Sequence, residues 1–179
     1  MLNRRQMIKT GIAGSLLLVT ARIVWGPFSG VGVLPLEDGD DYNFLTAEDR
    51  AVIASLAPVI LKGALPEGEK EYDTAIIEIV KGVDTTISGL TPSVQKEVRE
   101  LFGILTFPVT RRLLASVWKP WLEADQVDIE NFLYSWQNSR FNLLRSAYEA
   151  LHELITASWY GNKNSWNGIG YAGPPDIGV

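Results

Sequence analysis

An all-α fold is predicted, an irregular bundle of about five to six helices followed by an extended aromatic, Gly- and Pro-rich tail. Three observations predict it. Apolar residues recur at three- and four-residue spacing over most of 44–160. No stretch sustains the period-two alternation of a half-buried strand. Cap residues, prolines and glycines punctuate the chain where the periodic runs begin and end.

The first segment, 1–25, reads as a signal. Asn3-Arg4-Arg5-Gln6-Met7-Ile8-Lys9 is basic, and the run from Thr10 to Val19 is almost without polarity. Arg4 and Arg5 followed by an apolar pair and Lys9 form the pattern read by the twin-arginine (Tat) exporter, with Met7 where Phe is commoner. The apolar run ends at Arg22 or Gly26-Pro27, short of the ~20 residues that a spanning helix needs. Export to the periplasm is therefore expected. Val19-Thr20-Ala21 meets the small-residue cleavage rule only loosely, so an uncleaved segment acting as a membrane tether stays open. A Gly-, Pro- and acid-rich linker, 26–43, follows. Its Asp38, Asp40 and Asp41 lack the twelve-residue spacing and closing Glu of a calcium loop.

The helical domain is expected over 44–160. Thr46 with Asp49 has the shape of a capping box, and Leu45 is placed to act as a staple. Val52, Ile53, Leu56, Ala57, Ile60 and Leu61 follow at helical spacing up to Gly63, with Pro58 expected to kink or split the run. A second helix is marked by Tyr72, Ala75, Ile76, Ile79, Val80, Val83 and Ile87, and stops at Gly89. A third opens on Thr91-Pro92, cap then N1 proline, and carries Val94, Val98, Leu101, Phe102 and Leu105. Pro108 resets the chain, and a short helix with Val109, Leu113, Leu114 and Val117 is expected before Trp118-Lys119-Pro120-Trp121. The longest periodic run goes from about Asp128 to Trp159, with a break expected near Gln137-Asn138-Ser139. In 161–179, glycines argue against a helix, while Trp166, Ile169 and Tyr171 are too apolar for a solvated tail. Such a segment is expected to dock.

Composition narrows the chemistry. There is no Cys and one His, so thiolate metal sites, haem-attachment motifs and cysteine nucleophiles are excluded. His152 sits among Leu151, Leu154 and Ile155 with no Gly-x-Ser-x-Gly elbow. Glu149 and His152 make one Glu-x-x-His step, whereas a di-metal bundle needs two such steps and further glutamates. No phosphate-binding glycine loop joins a strand to a helix. No catalytic, cofactor-binding or metal-binding residue is therefore assigned. The formal net charge is −5, and loss of Arg4, Arg5 and Lys9 by a cut after Ala21 would take it to −8. A nucleic-acid partner is not expected. What stands out is six Trp, six Tyr and six Phe, residue types that wedge helix corners and anchor protein interfaces.

Phe44-Leu45-Thr46-Ala47-Glu48-Asp49-Arg50-Ala51 and the closing Trp159-Tyr160-Gly161-Asn162, Trp166, Ile169-Gly170-Tyr171-Ala172-Gly173-Pro174 resemble the gluconate 2-dehydrogenase subunit 3 family. The chain departs from that pattern in the single glycine of its Tyr-Gly-Asn step and in Val59-Ile60-Leu61, where a proline is common. The resemblance implies a cofactor-free small subunit, not itself an enzyme, that binds, stabilises and escorts a large FAD-dependent sugar or alcohol dehydrogenase through the Tat translocase. FAD would belong to that partner, and a cytochrome c subunit is left open as a third component. Partner-binding roles then fall on Trp159, Tyr160, Gly161, Asn162, Trp166, Ile169, Gly170, Tyr171, Gly173 and Pro174. The alternative expectation is a stand-alone periplasmic binding or structural protein.

Overall fold

The computed structural model describes residues 42–166 and 170. Arg4, Arg5, Met7 and Lys9, the linker up to residue 41, and Ile169, Tyr171, Gly173 and Pro174 lie outside the described residues. Every regular element among the described residues is helical, as the periodicity predicts.

Helix α1, Ala47–Ile60, is the hub. It packs against α2 (Glu69–Ser88), α3 (Pro92–Thr106), α5 (Gln126–Gln137), α6 (Asn142–Tyr160) and the 3₁₀ turn Trp121–Glu123. Its sequence explains the position, because a helix that is apolar on most sides belongs inside a bundle. Residues 49–57 are all buried, and Val52, Ile53, Leu56 and Ala57 have no exposed surface. The expected capping box is present: the Asp49 amide donates to Thr46 Oγ1 at 3.3 Å, and the Thr46 amide donates to Asp49 Oδ2 at 3.0 Å. Pro58 does not split the helix. It falls in the last turn, two residues before the end, so the helix forgoes one bond, from residue 58 to the Ala54 carbonyl, and little chain follows to be redirected.

Two buried carboxylates tie the chain's entry to the bundle. Asp84 of α2 accepts from the amides of Asn43, Phe44 and Leu45 at 2.9, 2.9 and 2.7 Å. Asp49 pairs with Arg99 Nη1 of α3 at 2.8 Å, while Arg99 Nη2 donates to the Phe44 carbonyl and the guanidinium lies over the Phe44 ring. Burial pushes the Asp49 carboxyl above its ordinary value, against the lowering effect of its Thr46 bonds and of Arg99.

The most extensive helix pairing is α2 against α6. Gly82 permits it, since a Cβ there would stand 2.9 Å from Ser158 Cβ. At the start of α3, Thr91 occupies the N-cap position before Pro92, but its hydroxyl makes no capping bond. Gln95 Nε2 instead donates to the Ser88 and Leu90 carbonyls and closes the preceding turn.

Pro108 resets the chain as expected, and Thr110 repairs the damage. The missing proline N–H would orphan the Ile104 carbonyl, and the Thr110 hydroxyl donates to it. After the single α turn α4, Pro108–Thr110, the chain widens into a π turn, Arg111–Ala115, instead of the predicted short α-helix. The π turn stops at Ser116, whose φ of 56° and ψ of 19° lie in the left-handed region. For a residue other than glycine that conformation costs ~1–2 kcal/mol. Of the four apolar residues expected to face the core here, only Val117 is buried; Val109, Leu113 and Leu114 are exposed. The extra residue of the π turn changes the register from Arg111 onward, which accounts for Leu113 and Leu114; Val109 precedes it and has no such explanation.

Buried indoles complete two further helix ends. Trp121 Nε1 donates to the Leu105 carbonyl at 2.9 Å, and Trp136 Nε1 donates to the Leu114 carbonyl at 2.9 Å. Trp121, Phe132 and Trp136 pack edge to face, with ring centroids 5.6 and 4.7 Å apart. The long periodic run breaks where expected, α5 ending at Gln137 and α6 starting at Asn142.

Candidate interface

The closing motif begins inside the core. Trp159, the penultimate residue of α6, is 3% exposed. Its indole is packed almost wholly into the core. Tyr160 turns outward and is 41% exposed. Gly161 ends the helix, and its small size is required: a Cβ would come within 2.8 Å of the Ala157 carbonyl oxygen.

Asn162 and Asn164 then clamp the chain onto α2. Asn162 Nδ2 donates to Glu78 Oε2 at 2.7 Å, and Asn164 Nδ2 reaches both Glu78 oxygens at 2.9 and 3.0 Å. Asn162 also starts a helical turn, accepting from the Asn164 amide at its Oδ1 and from the Ser165 hydroxyl at its carbonyl. This turn, α7 (Lys163–Trp166), corrects the expectation that the segment after Trp159 holds no helix. The glycines lie on either side of Lys163–Trp166, which itself contains none. Trp166 Nε1 donates to the Tyr160 carbonyl at 3.0 Å and so covers one of the last carbonyls of α6. Gly170 has a φ of 68°, a conformation open to glycine and strained for other residues.

Of the ten residues assigned to partner binding, the structure thus brings Trp159 to Asn162 and Trp166 together in one knot at the α2–α6 end. Beside it lies an open hollow of about 370 Å³ lined by Pro66, Lys70, Thr74, Glu78, Trp159 and Asn164, among others. Glu78 carries no signal in the sequence. It is separated from Asn162 by 84 positions, and no local pattern announces the pairing.

Further apolar side chains stand exposed elsewhere, some at positions whose spacing predicts burial. Leu113 is 75% exposed, Trp118 68% and Leu143 76%. Tyr134 and Phe141 are exposed as well. The Trp136–Leu114 bond sets the π corner beside the C-terminal end of α5, and Phe141 and Leu143 follow a few residues after that end. Within the corner, Arg112 lies 5.8 Å from the Trp118 ring centroid. Arg111 is 9% exposed, and its Nε is buried with no hydrogen-bond partner. Burial lowers the pKa of Arg111, and the neighbouring Arg112 charge lowers it further.

The groups weighed for catalysis do not converge. His152 is half-buried against the Tyr148 ring at 5.7 Å, and Glu149 is exposed on the same helix. Among the described residues no group of three or more His, Asp or Glu is placed to hold a metal ion. No described helix is long and apolar enough to cross a membrane. Comparison of the chain with protein-family models, curated proteins and solved structures finds no match.

Proposed function

We propose that this chain is the non-catalytic small subunit of an FAD-dependent sugar or alcohol dehydrogenase, which it binds, stabilises and escorts through the Tat pathway to the periplasm. The observation that carries this reading is the large apolar side chains left outside the bundle, Leu113, Trp118, Tyr134, Phe141 and Leu143. Single exposed apolar residues are ordinary. Leu113 and Trp118 at the π corner, and Tyr134, Phe141 and Leu143 on either side of the α5–α6 break, suit surfaces that another protein covers.

The knot adds support from the other end. Glu78 holds the root of the Gly- and Pro-rich tail in place, so the tail's aromatics would start from a fixed point and lose less entropy on docking. Export of the assembled pair is consistent with a translocase that moves folded proteins, since one signal then serves both chains. Replacing Arg4 and Arg5 together with Lys tests the escort role. Dehydrogenase activity should accumulate in the cytoplasm and fall to background in the periplasm. Unchanged periplasmic activity would sink it.

The burial of Trp159 favours, at that one position, the second reading of a stand-alone periplasmic protein that uses its own aromatics as core. A chain of that kind would be monodisperse and stable without any partner.

A further inference from the structure

The π corner carries more chemistry than the fold needs. Three features coincide over Val109–Trp118. The chain accepts a π turn and a left-handed serine where a plain α-helix would cost less. It turns Val109, Leu113, Leu114 and Trp118 to the outside. It also holds the Arg111 side chain largely buried, its Nε buried without a partner, and no hydrogen bond or ion pair is made by the guanidinium among the described residues. A partly desolvated guanidinium with an unpaired N–H gains from an incoming acceptor.

The surrounding charge points to what would pair it. From Leu101 to Leu122 the sequence carries Arg111, Arg112 and Lys119 and no Asp or Glu, although the whole chain is acidic at −5. Lys119 is occupied by Asp125 at 2.8 Å, while Arg112 is exposed and lies 5.8 Å from the Trp118 ring centroid with its N–H donors unused by that contact. Among the described residues of this stretch, Arg111 is the partly desolvated cation with no acceptor, between the exposed Val109, Leu113 and Leu114. That combination suits a carboxylate with apolar neighbours, because those side chains would exclude water from the pair that forms.

We infer that the Val109–Trp118 corner is a docking site for a carboxylate-bearing, apolar-flanked loop of a partner protein, with Arg111 as the residue that receives the carboxylate. This rests on the reading of the chain as an accessory subunit only in taking the flavin subunit as that partner. Arg111 then has a distinctive signature. Replacing it with Met keeps the buried stem and removes an unsatisfied buried N–H, so the free chain should be no less stable while the complex weakens.

The test places a photoreactive p-benzoylphenylalanine at Leu113 in the full-length chain, with Val94 as the control position. It is run in cells that produce the natural partners, and adducts are mapped by mass spectrometry. The expected result is an adduct from position 113, and none from position 94, to an Asp- or Glu-containing loop of a second protein. Its yield should fall at least tenfold with Arg111→Met and with Trp118→Ala, while the melting temperature of the free Arg111→Met chain does not drop. No adduct, an adduct to this chain's own residues 167–179, an adduct to a second copy, or a yield indifferent to both substitutions would overturn the inference. If the flavoprotein co-purifies but position 113 does not label it, the corner is wrong and the accessory role survives. If position 113 labels an acidic loop of a protein without flavin in an Arg111-dependent way, the corner stands and the accessory role to a dehydrogenase fails.

Discussion

Asp84 does with one side chain what would otherwise take a capping element. Three consecutive amides, from Asn43 to Leu45, reach the bundle before α1 begins, and all three end on this carboxylate. Removing it leaves those donors without an acceptor, two of them part-buried and one buried. Asp84→Ala should therefore cost about 3 kcal/mol in chemical denaturation, well above an ordinary surface substitution. A cost under about 1 kcal/mol would mean that water replaces the carboxylate freely. Asp49 makes a prediction of the opposite kind. Its folded pKa is raised above the ordinary 3.8, so the folded chain holds this proton more tightly than the unfolded one. The stability this group contributes is complete below 3.8 and is lost as the pH rises through its own higher value. Asp49→Asn should flatten that part of the stability–pH curve, which thermal melts at a series of acidic pH values would show.

At the scale of elements, the close approach of α2 and α6 depends on Gly82. Alanine gains helix propensity of about 1 kcal/mol, but its Cβ meets Ser158 Cβ at 2.9 Å, and forcing such contact costs about 1–3 kcal/mol. Gly82→Ala should be net destabilising, and Ser158→Gly in that background should recover part of the loss. A stabilised Gly82→Ala chain would show that the helices can separate without penalty. The helices themselves were legible in the sequence. The capping box at Thr46 and Asp49, the stop at Gly89, the N1 proline of α3 and the break after Gln137 all follow from local signals. What local signals miss is register and pairing. Nothing in Arg111-Arg112-Leu113-Leu114-Ala115 distinguishes a π turn from an α turn, so Leu113 and Leu114 read as core although they are exposed. Asp84 had a readable clue, since it falls with Val80, Val83 and Ile87 on the buried face of α2. Its partners lie about forty positions away, and only tertiary structure brings them together.

For the molecule as a whole, the division between inside and outside is what suggests a role. Trp121, Trp136 and Trp159 are spent on the core, two of them also completing helix ends, and Trp118 is left in solvent. The aromatic surplus read from composition thus separates into a structural set and an exposed set, a distinction that composition alone cannot make. The knot from Trp159 to Trp166 behaves likewise. Within the described part of the motif, Asn162 and Trp166 bond to the chain's own α2 and α6, Trp159 is buried and Tyr160 faces outward. The proposed accessory role is tested most directly by purification of the full-length chain from cells that produce its natural partners, through an affinity tag placed within the 26–43 segment. The account predicts a stoichiometric large subunit in the eluate with the absorbance of bound FAD and with sugar or alcohol dehydrogenase activity. A monodisperse chain eluting alone, without flavin absorbance, would contradict it.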